Sequence, residues 1–224
     1  MRIKNVFMAA VAVAALAATV GPARAVTLAD LIAGQSITVG DKLFDNFSYV
    51  GTGPAPTAAN ITVLGSTDLN GNYGLRFISA WAVSTPGQTM DSNIGFDVTV
   101  LDPNSWISDI HLTANVSATG DGSFAQVIEQ VTDPNVVGQI KVETPNTLDA
   151  WADLPKLEKK IHVSKDALFV VGRDGGNASM SELDNYYSQK TRVGVPEPGS
   201  IAMLFGVAIS GSLFGLRMRR AKRA

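Results

Sequence analysis

Cysteine is absent from the 224-residue chain, which excludes disulfide scaffolds, thiol catalysis and cysteine-ligated zinc or iron–sulfur sites. Histidine is almost absent: His111 and His162 are the only two imidazoles. The chain also lacks H-E-x-x-H, G-x-S-x-G, a P-loop and a dinucleotide fingerprint after a strand, so the common hydrolase, NTPase and dehydrogenase signatures are missing. No internal repeat is visible, which speaks against solenoids and propellers. No T-x-T occurs, so the flat threonine ranks of an ice-binding face are missing as well. Basic charge is scarce where a fold would be built. Residues 26–195 hold 10 basic against 19 acidic side chains, a net of −9. Such a body cannot displace phosphate counterions and is not a non-specific nucleic-acid binder.

The formal net charge of −2 is therefore a cancellation between an acidic body and two basic ends. Arg2 and Lys4 precede an apolar run over 6–20, and Gly21-Pro22 then breaks any helix. Ala23-Arg24-Ala25 is an A-x-A site in which only small side chains fit a signal peptidase. Residues 1–25 are expected to be a signal peptide, with signal peptidase as a partner. At the other end, Val195-Pro196-Glu197-Pro198 forms a stiff segment that continues neither helix nor sheet. An uncharged run over 201–216 follows, and Arg217, Arg219, Arg220, Lys222 and Arg223 close the chain. At about 1.5 Å per residue the run reaches roughly 24 Å, a short transmembrane helix that snorkelling arginines would complete. The basic cluster should stay cytoplasmic, which places the body outside.

V-P-E-P, a short apolar helix and a terminal arginine cluster together resemble the PEP-CTERM sorting signal of exported Gram-negative proteins, also labelled an ice-binding-protein C-terminal domain. The resemblance covers 195–224. It implies recognition by an exosortase through Pro196, Glu197 and Pro198, with 201–216 as a transient membrane anchor. The body is similar to a recurrent PEP-CTERM passenger in its segments 36–42, 44–49, 78–83, 96–100 and 162–166. That resemblance implies placement at the cell surface or in an exopolysaccharide matrix and carries no chemistry.

The body itself, taken as 26–190, reads as strands. In 107–117 the residues Ile110, Leu112, Ala114 and Val116 share one face, and Asp109, His111, Thr113 and Asn115 share the other. Segments 96–100, 140–143 and 161–164 alternate in the same way, and 36–39, 43–50, 60–65, 75–83, 124–131, 166–172 and 177–188 are further candidates. Period two with turn residues between predicts an all-β fold, an antiparallel β-sandwich of jelly-roll-like form. Thr27 to Gly34 predicts a short capped helix, and 146–160 is compatible with another.

Candidate sites are few. His111 beside Asp109, and His162, are expected on solvated strand faces. Asp68, Asn70 and Asn72 open like a calcium loop, but Tyr73 and Ser79 stand where an EF-hand needs glycine and glutamate, so a hairpin turn is expected there. Of the three tryptophans, Trp81 is expected in the core, and Trp106, beside a Pro-Asn-Ser turn, is the expected exposed glycan contact. No catalytic residue, cofactor or metal is assigned. The leading expectation is an exported, exosortase-sorted surface or matrix protein without catalysis. A carbohydrate-binding or adhesion module is the first alternative and a secreted hydrolase the second.

Overall fold

The computed structural model describes residues 25–133, 136–143 and 148–191. The expected signal peptide through Arg24, the Val195–Pro198 motif, the 201–216 helix and the basic tail all lie outside these residues. Among the described residues no helix is long and apolar enough to cross a membrane.

Two antiparallel sheets face each other across one core, as the alternation predicts. The first contains β1 (Val26–Thr27), β4 (Thr62–Thr67), β5 (Tyr73–Val83), β13 (Asn177–Thr191), β7 (Ser105–Ala114) and β11 (Asp149–Glu158) in that spatial order, with β8 (Ser117–Thr119) also paired to β13. The second runs β10 (Val136–Glu143), β9 (Phe124–Asp133), β12 (Lys160–Val170), β6 (Thr89–Val100), β3 (Lys42–Thr52), β2 (Ile37–Val39). From β5 onward the chain crosses between the sheets at nearly every turn, so neighbours in sequence face each other across the core. Helix α1 (Leu28–Ile32) is capped as expected. Thr27 accepts from the Asp30 backbone N–H at 3.2 Å, and Gly34 takes the left-handed φ of +105° just past its end. Leu28 and Leu31 are buried at the sandwich edge.

Residues 146–160, compatible with a helix in the sequence, instead supply β11. Its pairing to β7 runs from Asp149 opposite Thr113 to Asp153 opposite Asp109. The period-two pattern Asp149, Trp151, Asp153 outward and Ala150, Ala152, Leu154 inward suits an edge strand, and a sheet edge in need of a partner wins over weak local helix propensity. Segments 161–164 and 166–172, separate in the sequence pattern, are mostly one continuous strand, β12.

The interior is built from alternate residues of both sheets. Phe96 of β6 is its centre. Its ring lies 5.4 Å from that of Phe47, 5.8 Å from Phe77 and 6.2 Å from Phe44. Trp81 is fully buried, as expected. Polar groups enter this core at a few places, among them Lys42 and Ser92. Lys165 on β12 stands opposite Glu129 on β9, both with side chains 0% exposed, and the pair closes at 2.6 Å.

Gly74 shows how tightly β5 and β13 are fitted. A Cβ there would lie 1.7 Å from the backbone oxygen of Asn185, an atom fixed by the sheet. Gly74→Ala is expected to cost about 3 kcal/mol, read as a fall in the urea midpoint at unchanged slope.

Candidate functional site

The outer face of the first sheet carries one continuous row of side chains. Gly74 of β5 is opposite Tyr186 of β13, Tyr186 opposite His111 of β7, and His111 opposite Trp151 of β11. Directly opposite residues point to the same face, so three rings line up across three strands. The Tyr186 and His111 rings are 5.9 Å apart, and the Tyr186 hydroxyl shares a hydrogen bond with Ser66 at 3.1 Å. His111 Nε2 donates to Asp149 Oδ1 at 2.6 Å. Trp151 ends the row with 69% of its surface exposed.

An open groove of about 270 Å³ runs along this row. The face supplies Asp109, His111, Asp149, Trp151 and Ser188, and the β4–β5 hairpin adds Asp68, Asn70 and Asn72 as one wall. Among the described residues no lysine or arginine lines it. The nearby Arg76 is committed elsewhere: it grips Asp184 through two bonds of 2.7 Å and reaches Glu182 at 3.1 Å. The bond to Asp184 raises its pKa further above the ordinary arginine value. A second depression of about 250 Å³, with Thr113, Asn115 and Asp184 in its lining, continues the same face along β7 and β13. Stacking surface, hydroxyl-binding carboxylates and amides, and open ends suit a chain of sugar rings. A pyranose can lay its C–H face on an indole, whose π face is electron-rich, while carboxylates accept from paired hydroxyls.

Several sequence expectations find their places here. The calcium candidate is the hairpin wall. Asp68 accepts from the backbone N–H of Asn70 and of Asn72 and from Asn72 Nδ2, each at 2.8 Å. Burial pushes its pKa up, but the bonds from Asn72 and Asn70 outweigh that and hold it below the usual carboxylate range. The turn thus uses the oxygens a cation would need. Among the described residues no group of three or more acidic or histidine side chains is placed to hold a metal ion. Trp106 is a correction. It is half-buried, and Lys159 Nζ lies 4.2 Å from its ring centroid, held there by the carbonyl oxygens of Asp102 and Ser105. The exposed tryptophan is Trp151, on the edge strand β11.

Both histidines occupy outer faces, yet neither is isolated. His162 belongs to the opposite face, where its Nδ1 lies 2.6 Å from Asp97 Oδ1. Lys160 and Asn46 also bond Asp97, at 2.8 and 3.2 Å, the latter from a residue with φ of +55° in a bulge of β3. Burial acts to raise the Asp97 pKa, and its three donors overcome this and lower it. This cluster is a hydrogen-bonded knot centred on Asp97, and its contribution to stability is lost as pH falls through the depressed pKa.

No protein-family model matches the chain, and no curated protein matches it. Two solved structures are similar in part. TmCBM61 in complex with beta-1,4-galactotriose aligns at a TM-score of 0.34 and 12% identity, over 63% of this chain and 88% of that one. The enzymatically active domain of tailspike protein 4 of bacteriophage CBA120 aligns at 0.27 and 12% identity, over 64% of this chain and 19% of that chain. The site therefore rests on its own geometry.

A second carboxylate on the opposite face behaves in the reverse sense to Asp97. Burial, then the hydrogen bond and repulsion from Asp91, push Asp166 up to about 6. Its unfolded value is about 3.9, so the native state holds an extra proton between these values. The resulting stabilisation is present below the unfolded pKa and is lost as pH rises through about 6. Asp166→Asn is expected to gain on the order of 1 kcal/mol at neutral pH, after solvent screening, and little near pH ~4. Urea midpoints of both proteins across that range check the sign.

Proposed function

We propose that the protein is a non-catalytic carbohydrate-binding module on a jelly-roll scaffold, exported and sorted to the cell surface through its two ends. The observation that carries the binding assignment is Trp151, exposed at the end of a ring row beside a groove of hydroxyl-binding groups. Because the groove holds Asp68, Asp109 and Asp149 and, among the described residues, no lysine or arginine, the ligand is a neutral, hydroxyl-rich polysaccharide rather than a uronate or sulfated one. The second depression in line with the first supports an extended chain rather than a single sugar.

Affinity electrophoresis of the mature protein in gels of neutral and of uronate-rich polysaccharide tests this. Retardation is expected in a neutral gel alone, and Trp151→Ala should weaken it at least tenfold, about 1.4 kcal/mol. Trp106→Ala, on a covered ring, should leave it unchanged. Equal losses from both variants, or no retardation in any neutral gel, would remove the assignment. Release of new reducing ends, lost in His111→Ala, would instead make the groove catalytic.

The sorting part of the proposal rests on the resemblance of 195–224 to PEP-CTERM signals and on the A-x-A site before Val26, the first residue of β1. Signal peptidase, exosortase and the membrane are its partners, with an exopolysaccharide matrix as destination. Mass spectrometry of released protein should find a chain starting at Val26 and ending near Pro198. A released chain that still ends at Ala224 would refute exosortase processing.

A further inference from the structure

The buried polar cluster between the sheets is not used by the groove. Lys165 and Glu129 are neighbours on β12 and β9, and Asn185 reaches them from β13 in the facing sheet. All three side chains are 0% exposed. Lys165 Nζ and Asn185 Nδ2 both bond the same oxygen, Glu129 Oε2, each at 2.6 Å. The Phe96 ring lies 5.4 Å from the ammonium, and Tyr187 adds a fully buried phenol. Three polar atoms of this cluster, Glu129 Oε1, Asn185 Oδ1 and Tyr187 OH, have no hydrogen-bond partner. Such a group of orphans inside an apolar core is costly and rare. An amine, a primary amide and a carboxyl group joined through one oxygen are, however, the reactants and the proton carrier of an amide exchange.

We propose that Lys165 and Asn185 join as an intramolecular isopeptide bond across the sandwich, with Glu129 carrying the protons. Burial lowers the Lys165 pKa, so the ammonium can pass a proton to the Glu129 carboxylate and leave a neutral amine. The Nζ lone pair attacks Asn185 Cγ and forms a new C–N bond, while the Glu129 proton meets the charge developing on Oδ1. On collapse the Cγ–Nδ2 bond breaks. Nδ2 departs as ammonia with a proton taken from Nζ through Glu129. One ammonium, one carboxylate and one primary amide become a secondary amide, a carboxylic acid and ammonia. Charge and hydrogens balance, and no oxidant or other reactant is needed. Water, the competing nucleophile, is kept out by the same burial. In the product the Glu129 O–H can donate to Asn185 Oδ1 and Glu129 can accept from the new N–H, so a charged pair becomes a neutral, paired one.

The test is the mass of the full-length purified protein and of its peptides after denaturation. The linked protein is one ammonia lighter than its sequence, resists trypsin at Lys165, and yields one branched peptide containing both Lys165 and Asn185. Glu129→Gln keeps the shape and the hydrogen bonds but cannot take up the proton, and should fold with the unreduced mass. Lys165→Met should do the same. Separate linear peptides carrying an unmodified Lys165 and Asn185 in the wild type, from folded protein, would overturn the proposal whatever the variants do.

Discussion

The pleat of β13 is the constraint on which the rest of the molecule depends. Its side chains alternate, so Leu183, Asn185 and Tyr187 enter the core while Asp184, Tyr186 and Ser188 belong to the outer face, Ser188 lining the groove and Asp184 the second depression. Both the buried polar cluster and the ring row are read off this one strand. A slip of one residue would place Tyr186 inside and Asn185 on the surface, and both sites would vanish together. The register is secured from both sides, by β5 along one edge and by β8 and β7 along the other. The close approach of Gly74 to the Asn185 carbonyl oxygen leaves no room for an alternative fit.

The second organising element is the charge at the centre. A lysine and a glutamate each lose several kcal/mol of hydration when fully buried, and only their mutual attraction and further hydrogen bonds compensate. Removing either alone leaves an unpaired interior charge. Their position between β9 and β12, under Asn185 of the facing sheet, makes the two sheets share a charged contact in the core, and Lys42 of β3 adds another by donating to Gln189 of β13 at 2.8 Å. Beyond adding hydrophobic area, these contacts fix how the sheets are placed against each other. On the two outer faces the logic differs: Asp68 and Asp97 are held by neighbouring donors while Asp166 is crowded by Asp91, and together they set how stability responds to pH.

Much of the architecture was legible in the sequence because alternation survives wherever one strand face meets water. The strands β3, β4, β5, β7 and β9 stand close to their expected places, and so does the Thr27 cap. What was missed was missed for a local reason. Lys165 continues the inward parity of Ile161 and Val163, but a lysine on an apolar face reads as an interruption, so the pattern divides β12 into two segments. Glu129 hides in the same manner among Ala125, Val127 and Val131. Trp151 has outward parity with Asp149 and Asp153, a pattern present in the sequence but masked by helix-compatible residues around it. The ring row itself joins residues from strands far apart in the chain. Only the order of strands in the sheet brings them together, and no spacing within a single segment encodes that.

The position of β13 has a mechanical consequence. It is the last described strand, it lies in the interior of its sheet rather than at an edge, and it is antiparallel to β5 and β7. A pull applied to the chain beyond Thr191 is therefore directed along the strand. Its rows of hydrogen bonds on both sides are loaded together, in shear, instead of being opened one after another like a zip. Detaching an edge strand by peeling would require only one bond to fail at a time. A fold hung from this strand would resist steady drag far better than one hung from an edge strand, because the force meets the whole ladder at once.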